Sequence, residues 1–275
     1  MLLVAAIQMT AGPERAANEA RALALVEKAA ERGAKFVGLP EMWEHIGPAS
    51  QKAQFAGPVE GAQLARLREV VTRRGIWCLA GSIAEKSEDG RFYNTSALIA
   101  PDGSIAATYR KLHLFDVDIP DGARYRESEQ VAQGAEKPPV VELTGVGLKL
   151  GMSICYDLRF PELYRTLAER GADLIAVPAA FTAYTGKAHW EVLLRARAIE
   201  DQAFVIAPAQ VGQIGPPEER RLAWGHAAII DPWGELLGDA GSTVEGVVVA
   251  ELKKERLAQV RRDLPALSHR RKDVL

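Results

Sequence analysis

Apolar and polar residues recur along this chain with two different periods. Between Glu14 and Arg32, Ala20, Leu23, Val26 and Ala30 follow one another at spacings of three, three and four, the stripe of an amphipathic helix that Gly33 ends. Short apolar runs on either side, Leu2–Met9 and Lys35–Leu39, predict strands. The pattern continues with a helix over Val59–Arg73 and strands over Ile76–Ile83 and Thr95–Ala100. The turn Pro101-Asp102-Gly103 then returns the chain as a hairpin over Ser104–Tyr109. In the second half a strand over Gly147–Ile154 precedes a helix over Pro161–Arg170 and a strand over Asp173–Val177. A long helix over Ala188–Gln202, a strand over Ala203–Ala207 and a group of strands split by Asp231-Pro232-Trp233-Gly234 complete the series. Helices alternate with strands without a low-complexity linker or a short repeat, which predicts one α/β domain over residues 1–275. Lys111–Lys137 and Val211–Leu222 lack periodicity, and loops of that length inside a compact domain are often functional.

Composition then removes several classes of function. Hydrophobic residues make up 48% of the 275 and charged residues 25%, the balance of an ordinary globule and not of a disordered, collagenous or coiled-coil chain. Lys and Arg number 34 against 36 Asp and Glu, a net charge of −2, so no overall basic field exists to hold a phosphate backbone and no nucleic-acid partner is expected. The basic tail, Arg261-Arg262 and His269–Lys272, has Asp263 and Asp273 beside it and reads as solvated or packed at an interface. Apolar runs such as Leu2–Ile7 and Val247–Ala250 fall far short of the roughly 18 residues that suggest a membrane span. No basic leader or cleavage site precedes the first strand, so no membrane contact and a cytoplasmic location are expected. The two cysteines, Cys78 and Cys155, stand in different settings and are read as separate thiols.

Candidate chemistry gathers at three predicted strand ends. An apolar strand runs into Cys155, polar residues follow, and Pro161 stands where a helix starts, which places the thiol at a strand-to-helix elbow. Such an elbow exposes a nucleophile and aims the backbone N–H groups after it at one point. A buried core cysteine is the alternative, and Cys78 in Ile76-Trp77-Cys78-Leu79 is expected to be of that kind. A thiol needs a base or a cation to react at neutral pH. None of the five histidines pairs with Cys155 by local sequence. Glu41, directly after Val37-Gly38-Leu39-Pro40, and Lys111, after Thr108-Tyr109-Arg110, occupy the other strand ends, where ligands collect in α/β sheets. Taken singly, Glu41 also reads as a capping or solvated acid and Lys111 as a surface lysine. Arg159 is placed to meet a substrate carboxylate or to form a structural ion pair. Thr182, Tyr184 and Thr185 line the same pocket or satisfy backbone groups. No catalytic role is assigned to His189, Trp190, Arg195 or Arg197.

Leu39–Trp43, Thr108–Pro120, Ile154–Leu163, Thr185–Gln202 and Asp231–Gly234 together resemble, in order and over most of the chain, the nitrilase or carbon–nitrogen hydrolase superfamily. The resemblance implies a four-layer α-β-β-α sandwich, often dimeric through the outer surface near the cysteine-bearing elbow. It implies a Glu-Lys-Cys triad at Glu41, Lys111 and Cys155, supported by a second glutamate at Glu127, with a solvated loop acid as the alternative for Glu127. Lys111 and the Tyr156 N–H would meet the oxyanion, Glu41 would act as base and then acid, and no metal or organic cofactor would be needed. Within the superfamily, Thr185–Glu200 and Leu264–Leu275 are most similar to the deaminated glutathione amidases, which release 2-oxoglutarate and cysteinylglycine. The omega-amidases, acting on 2-oxoglutaramate or 2-oxosuccinamate, share the oxo-acid half of the substrate. Lys187, where related proteins often have proline, and Ile214–Arg221 depart from the pattern near the pocket entrance. An acyltransferase using the same thioester and a non-catalytic binding protein of the same fold are the competing readings, the latter distinguished by a broken triad. Small-molecule amides and a second copy of the chain are the expected partners.

Overall fold

Leu3–Met9 is an interior strand of a 10-stranded sheet and is covered on both faces, as its apolar run Leu3–Ile7 requires. The computed structural model describes residues 2–48, 51, 54–118, 124–217, 221–271 and 273–274. Parity along the strand divides the core. Val4 and Ala6 join a cluster with Leu150 and Met152 of a second sheet. Ala5, Ile7 and Met9 instead meet Ala22 and Val26 of helix Arg15–Glu31 and Leu64 and Leu67 of helix Ala62–Arg74. The second sheet has 6 strands, in the order Val140–Leu143, Leu148–Met152, Leu174–Ala176, Phe204–Ala207, Ala228–Ile230 and Leu236–Asp239. Helices Pro161–Glu169 and Ala183–Asp201 cover its outer face through Leu167, Trp190, Leu194 and Ala198. The result is the expected α-β-β-α sandwich.

Parallel pairing brings the functional strand ends to one side. Leu3–Met9, Phe36–Gly38 and Trp77–Leu79 run parallel in the first sheet, and Leu148–Met152, Leu174–Ala176 and Phe204–Ala207 in the second. Glu41, Cys155 and Ala180 therefore follow carboxyl ends of strands that face one another across the core. Gly81 fixes one of these ends. Its φ is +47, and a Cβ there would lie 1.9 Å from the Pro40 carbonyl oxygen, so only glycine lets this turn back the Leu39-Pro40-Glu41 corner.

Several boundaries differ from the sequence reading, each for a physical reason. The stretch Ile76–Ile83 is two strands, Trp77–Leu79 and Ile83–Lys86, because the Gly81 turn interrupts it. Val211–Leu222 is not an open loop; its two ends belong to a hairpin in which Ala209–Ile214 pairs antiparallel with Arg221–Trp224. The long helix begins at Ala183, so Tyr184 and Thr185 lie in its first turn and Thr182 is its N-cap. Lys111–Lys137 carries a small antiparallel pair, Asp116–Asp118 with Arg124–Arg126, and a 3-10 turn at Glu127–Glu129. The basic tail divides: Arg261 pairs with Asp173 at 2.7 Å and Arg270 with Glu169 at 2.5 Å, while Arg262 and Arg271 are solvent-exposed beside Asp263 and Asp273, as the solvated reading expects.

Candidate active site

Cys155 opens a 3-10 turn, Cys155–Arg159, immediately beyond the buried strand Leu148–Met152. Its φ is +45, a left-handed conformation that is uncommon for a residue with a side chain and is concentrated at functional sites. Asp157 holds the elbow in that shape. Its Oδ2 accepts from the Ile154 N–H at 2.9 Å and the Tyr109 hydroxyl at 2.7 Å, and its Oδ1 accepts from the His113 N–H at 3.1 Å and His113 Nδ1 at 2.7 Å. Since Tyr109 and His113 flank Lys111, one buried carboxylate ties the nucleophile elbow to the lysine-bearing strand end.

Lys111 is 2% exposed and its ammonium is shared between two acids. Nζ donates to Glu41 Oε1 at 2.9 Å and to Glu127 Oε1 and Oε2 at 3.0 and 2.9 Å. Glu41 Oε2 accepts from the Ala180 N–H at 2.9 Å, and Glu127 Oε2 from the Phe115 N–H at 2.6 Å. The Cys155 thiol shares the cavity wall with the Glu41 carboxylate and interacts with it electrostatically. The structure therefore brings Glu41, Lys111, Glu127 and Cys155 together, all four on the wall of one cavity of about 500 Å³, a volume suited to a small molecule.

The charge states follow from burial and from these partners. Burial pushes Glu41 up, but the Lys111 charge, the Cys155 thiol and the Ala180 N–H outweigh it and hold the carboxyl below its ordinary value. Burial pushes Lys111 down, yet Glu127 and Glu41 raise it well above an ordinary lysine. Cys155 is raised by burial and by the Glu41 charge, against the opposing pull of Lys111. At neutral pH the cluster thus rests as carboxylate, ammonium and thiol. A thiol in that state can act as a nucleophile only by giving up its proton, and the carboxylate that shares its cavity wall is Glu41.

The remaining predicted residues divide. Tyr156 lines the cavity, and its backbone N–H has no partner among the described residues. Thr182 and Thr185 also line it, with their hydroxyls 2.8 Å apart in the N-cap of the helix. Arg159 is absent from the cavity wall; its guanidinium lies over the Tyr156 and Phe181 rings, 5.8 and 5.3 Å from their centroids, and contacts His189 Nδ1 at 3.3 Å. Tyr184 is 52% exposed and off the wall as well. Arg124, Arg126 and Arg221 line the cavity in addition to Lys111, with Arg126 clamped by both oxygens of Asp118 at 2.9 and 2.8 Å and Arg124 3.7 Å from the same carboxylate. Sequence reasoning missed these arginines, Asp157 and Asn94, a buried amide between Glu41 and Glu127. The available signal for Asn94 was a polar Asn-Thr-Ser run inside an apolar strand.

An α-β-β-α sandwich with a thiol, a carboxylate and an ammonium at its strand ends defines a hydrolase of amide carbon–nitrogen bonds. Residues 3–262 match the carbon–nitrogen hydrolase family, and the chain belongs to it. It is 48% identical over 270 residues to a deaminated glutathione amidase of Synechocystis sp. (strain PCC 6803 / GT-S), covering 98% of this chain and 97% of that one. It is 37% identical over 268 residues to the omega-amidase NIT2 of Xenopus tropicalis, covering 98% and 94%. A mutant amidase from Nesterenkonia sp. AN1, showing covalent addition of the acetamide moiety of fluoroacetamide at its active-site cysteine, matches with a TM-score of 0.82 at 26% identity. That match covers 99% of this chain and 95% of that one.

Proposed function

We propose that the protein hydrolyses deaminated glutathione to 2-oxoglutarate and cysteinylglycine through a thioester on Cys155. The observation that carries this reading is the gathering of Glu41, Lys111 and Cys155 on one cavity wall, where the Glu41 carboxylate holds the Lys111 ammonium at 2.9 Å. Cys155 Sγ attacks the amide carbon as Glu41 takes the thiol proton. The developing oxyanion is met by Lys111 and the Tyr156 N–H, donors of the kind whose loss costs roughly 3–4 kcal/mol. Collapse breaks the C–N bond, and Glu41 returns the proton to the departing amine. Water, losing a proton to Glu41, then adds to the thioester; the acid leaves and Cys155 regains its proton. Glu127 holds Lys111 in place throughout. The covalent adduct on the Nesterenkonia cysteine and the name of the Synechocystis relative support the chemistry and the substrate, as do three cavity arginines suited to a substrate with carboxylates. Thr182 and Thr185 supply hydroxyls to the same substrate.

The Xenopus relative favours a second reading, an omega-amidase, whose substrates share the oxo-acid half and differ in the leaving amine. Side-by-side kcat/KM values decide between them. Deaminated glutathione is expected to turn over faster than 2-oxoglutaramate, and equal or faster turnover of 2-oxoglutaramate would reverse the assignment.

A homodimer working in the cytoplasm is the accompanying proposal. Helix Ala183–Asp201 leaves Val192 66% exposed and Ile199 48% exposed, and Trp233, beside the Gly234 that Ile199 packs over, is 49% exposed, which leaves large apolar side chains on the outer surface. Val192→Glu with Ile199→Glu is expected to convert a dimer to a monomer in light scattering; a wild-type monomer at micromolar concentration would refute the dimer. Two unpaired thiols, one of them the nucleophile, suit a reducing compartment.

A further inference from the structure

Asn94 lies on strand Phe92–Ile99 and is 2% exposed. A strand interior is an unfavourable place for asparagine, and burying an amide costs free energy unless its groups are bonded. Here Nδ2 donates to Glu41 Oε1 at 2.9 Å and to Glu127 Oε1 at 3.3 Å, while Oδ1 has no partner among the described residues. The opposite orientation would set an oxygen against two carboxylates, so the carboxylates dictate which way the amide faces. The Asn94 backbone carbonyl accepts from the Lys111 N–H at 2.9 Å. One residue thus touches Glu41 and Glu127 through its side chain and Lys111 through its main chain.

We propose that Asn94 is a positioning residue that holds Glu41 and Glu127 on the same side of the Lys111 ammonium and fixes the plane of the Glu41 carboxylate toward Cys155. An ammonium alone cannot do this, because three rotating donors on a flexible stem accept many carboxylate orientations. A planar amide between two carboxylates restricts both. With Oε1 occupied by Lys111 and Asn94 and Oε2 held by the Ala180 N–H, Glu41 has its rotation blocked from both ends. The inference rests on the reading of Glu41 as the base.

Donors to an ionised carboxylate favour its ionised form, so loss of the amide raises the pH at which Glu41 becomes a base. The charged or titratable groups around Glu41 are Lys111 beyond strand Ile105–Arg110, Glu127 on its 3-10 turn and Cys155 on the elbow. The test uses the full chain and follows alkylation of Cys155 by 2-chloroacetamide as a function of pH, which reads activation of the thiol whichever amide is the natural substrate. Asn94→Ala is expected to shift the acid limb upward by about one pH unit, slowing alkylation about tenfold below it. Asn94→Asp, a third carboxylate, shifts it further. Hydrolysis should lose kcat with a much smaller change in KM; since loss of active protein would also lower kcat alone, the position of the acid limb is the readout that a merely structural role would not move. Asn94→Ser, too short to span both acids, is read in the same way should Asn94→Ala not fold. Glu41→Gln separates the two inferences. If it removes the limb while the Asn94 variants leave the limb where it is in wild type, Asn94 has no positioning role and the base assignment stands. If Glu41→Gln itself leaves the limb in place, the base assignment and the Asn94 inference fall together.

Discussion

Cys155→Ala is expected to abolish amide hydrolysis, by at least about 10⁴-fold in kcat, while the protein stays folded and still binds substrate. Without a sulfur there is no thioester, and water has no activated position from which to attack the amide directly. The fold should tolerate the change. The elbow is held by Asp157 through four contacts that do not involve the thiol, and the removed atom is a single small group at the cavity wall. Alanine retains the Cβ, so the strain at φ +45 is neither added nor relieved. The thermal midpoint should therefore move by no more than a few degrees. Intact-protein mass makes the comparison sharper. Wild type mixed with deaminated glutathione or with 2-oxoglutaramate should carry the same acyl group, since both substrates present the same acid half; Cys155→Ala should carry none. A folded Cys155→Ala protein that still released 2-oxoglutarate at the wild-type rate would end the thioester mechanism.

The fold was legible largely because alternation of apolar strands with amphipathic helices is a strong signal; strand ends marked Glu41, Lys111 and Cys155 only as candidates, and the family resemblance was needed to join them as a set. What escaped has specific causes. The strand expected over Thr95–Ala100 begins earlier, at Phe92, so Asn94 fell one residue outside it. Its partners lie 53 and 33 residues away in sequence, beyond the reach of any local pattern. The hairpin from Ala209 to Trp224 was hidden by Gly212 and Gly215, which break the apolar alternation by adopting φ of +71 and +70. The start of the long helix was missed because Gly186 weakens its first turns by propensity. Tertiary packing requires that glycine, since a Cβ there would lie 2.4 Å from Trp224. Arg159 was placed by its distance from Cys155 along the chain, but the turn directs it onto the Tyr156 and Phe181 rings. Arg124 and Arg221, brought to the cavity by separate hairpins, carried no local mark at all.

Lys111→Met is the other substitution of large effect, and its pH dependence distinguishes the two roles that the lysine fills. Methionine approximates the volume of the stem and removes the charge. The variant then leaves the buried Glu41 and the part-buried Glu127 around the same vacated position with only Asn94 donating between them. Like charges about 4 Å apart repel by roughly 4 kcal/mol at an effective dielectric near 20, so the pair cannot remain doubly ionised at little cost. In wild type the lysine helps to hold Glu41 below its ordinary value despite burial; without it, burial and repulsion both push Glu41 up. A base that retains its proton at neutral pH cannot accept one from Cys155. The oxyanion loses its cation at the same time, and the two losses together are expected to lower kcat by about 10³-fold or more at pH 7. The sign of the pH effect follows from the direction of the shift: residual activity should climb as pH rises and Glu41 ionises, so the acid limb of kcat/KM moves to higher pH. Were the rate to fall while the limb stayed in place, Lys111 would serve the oxyanion alone, and Asn94 with the Ala180 N–H would suffice to keep Glu41 ionised. A variant within tenfold of wild type at neutral pH would remove the lysine from the mechanism altogether.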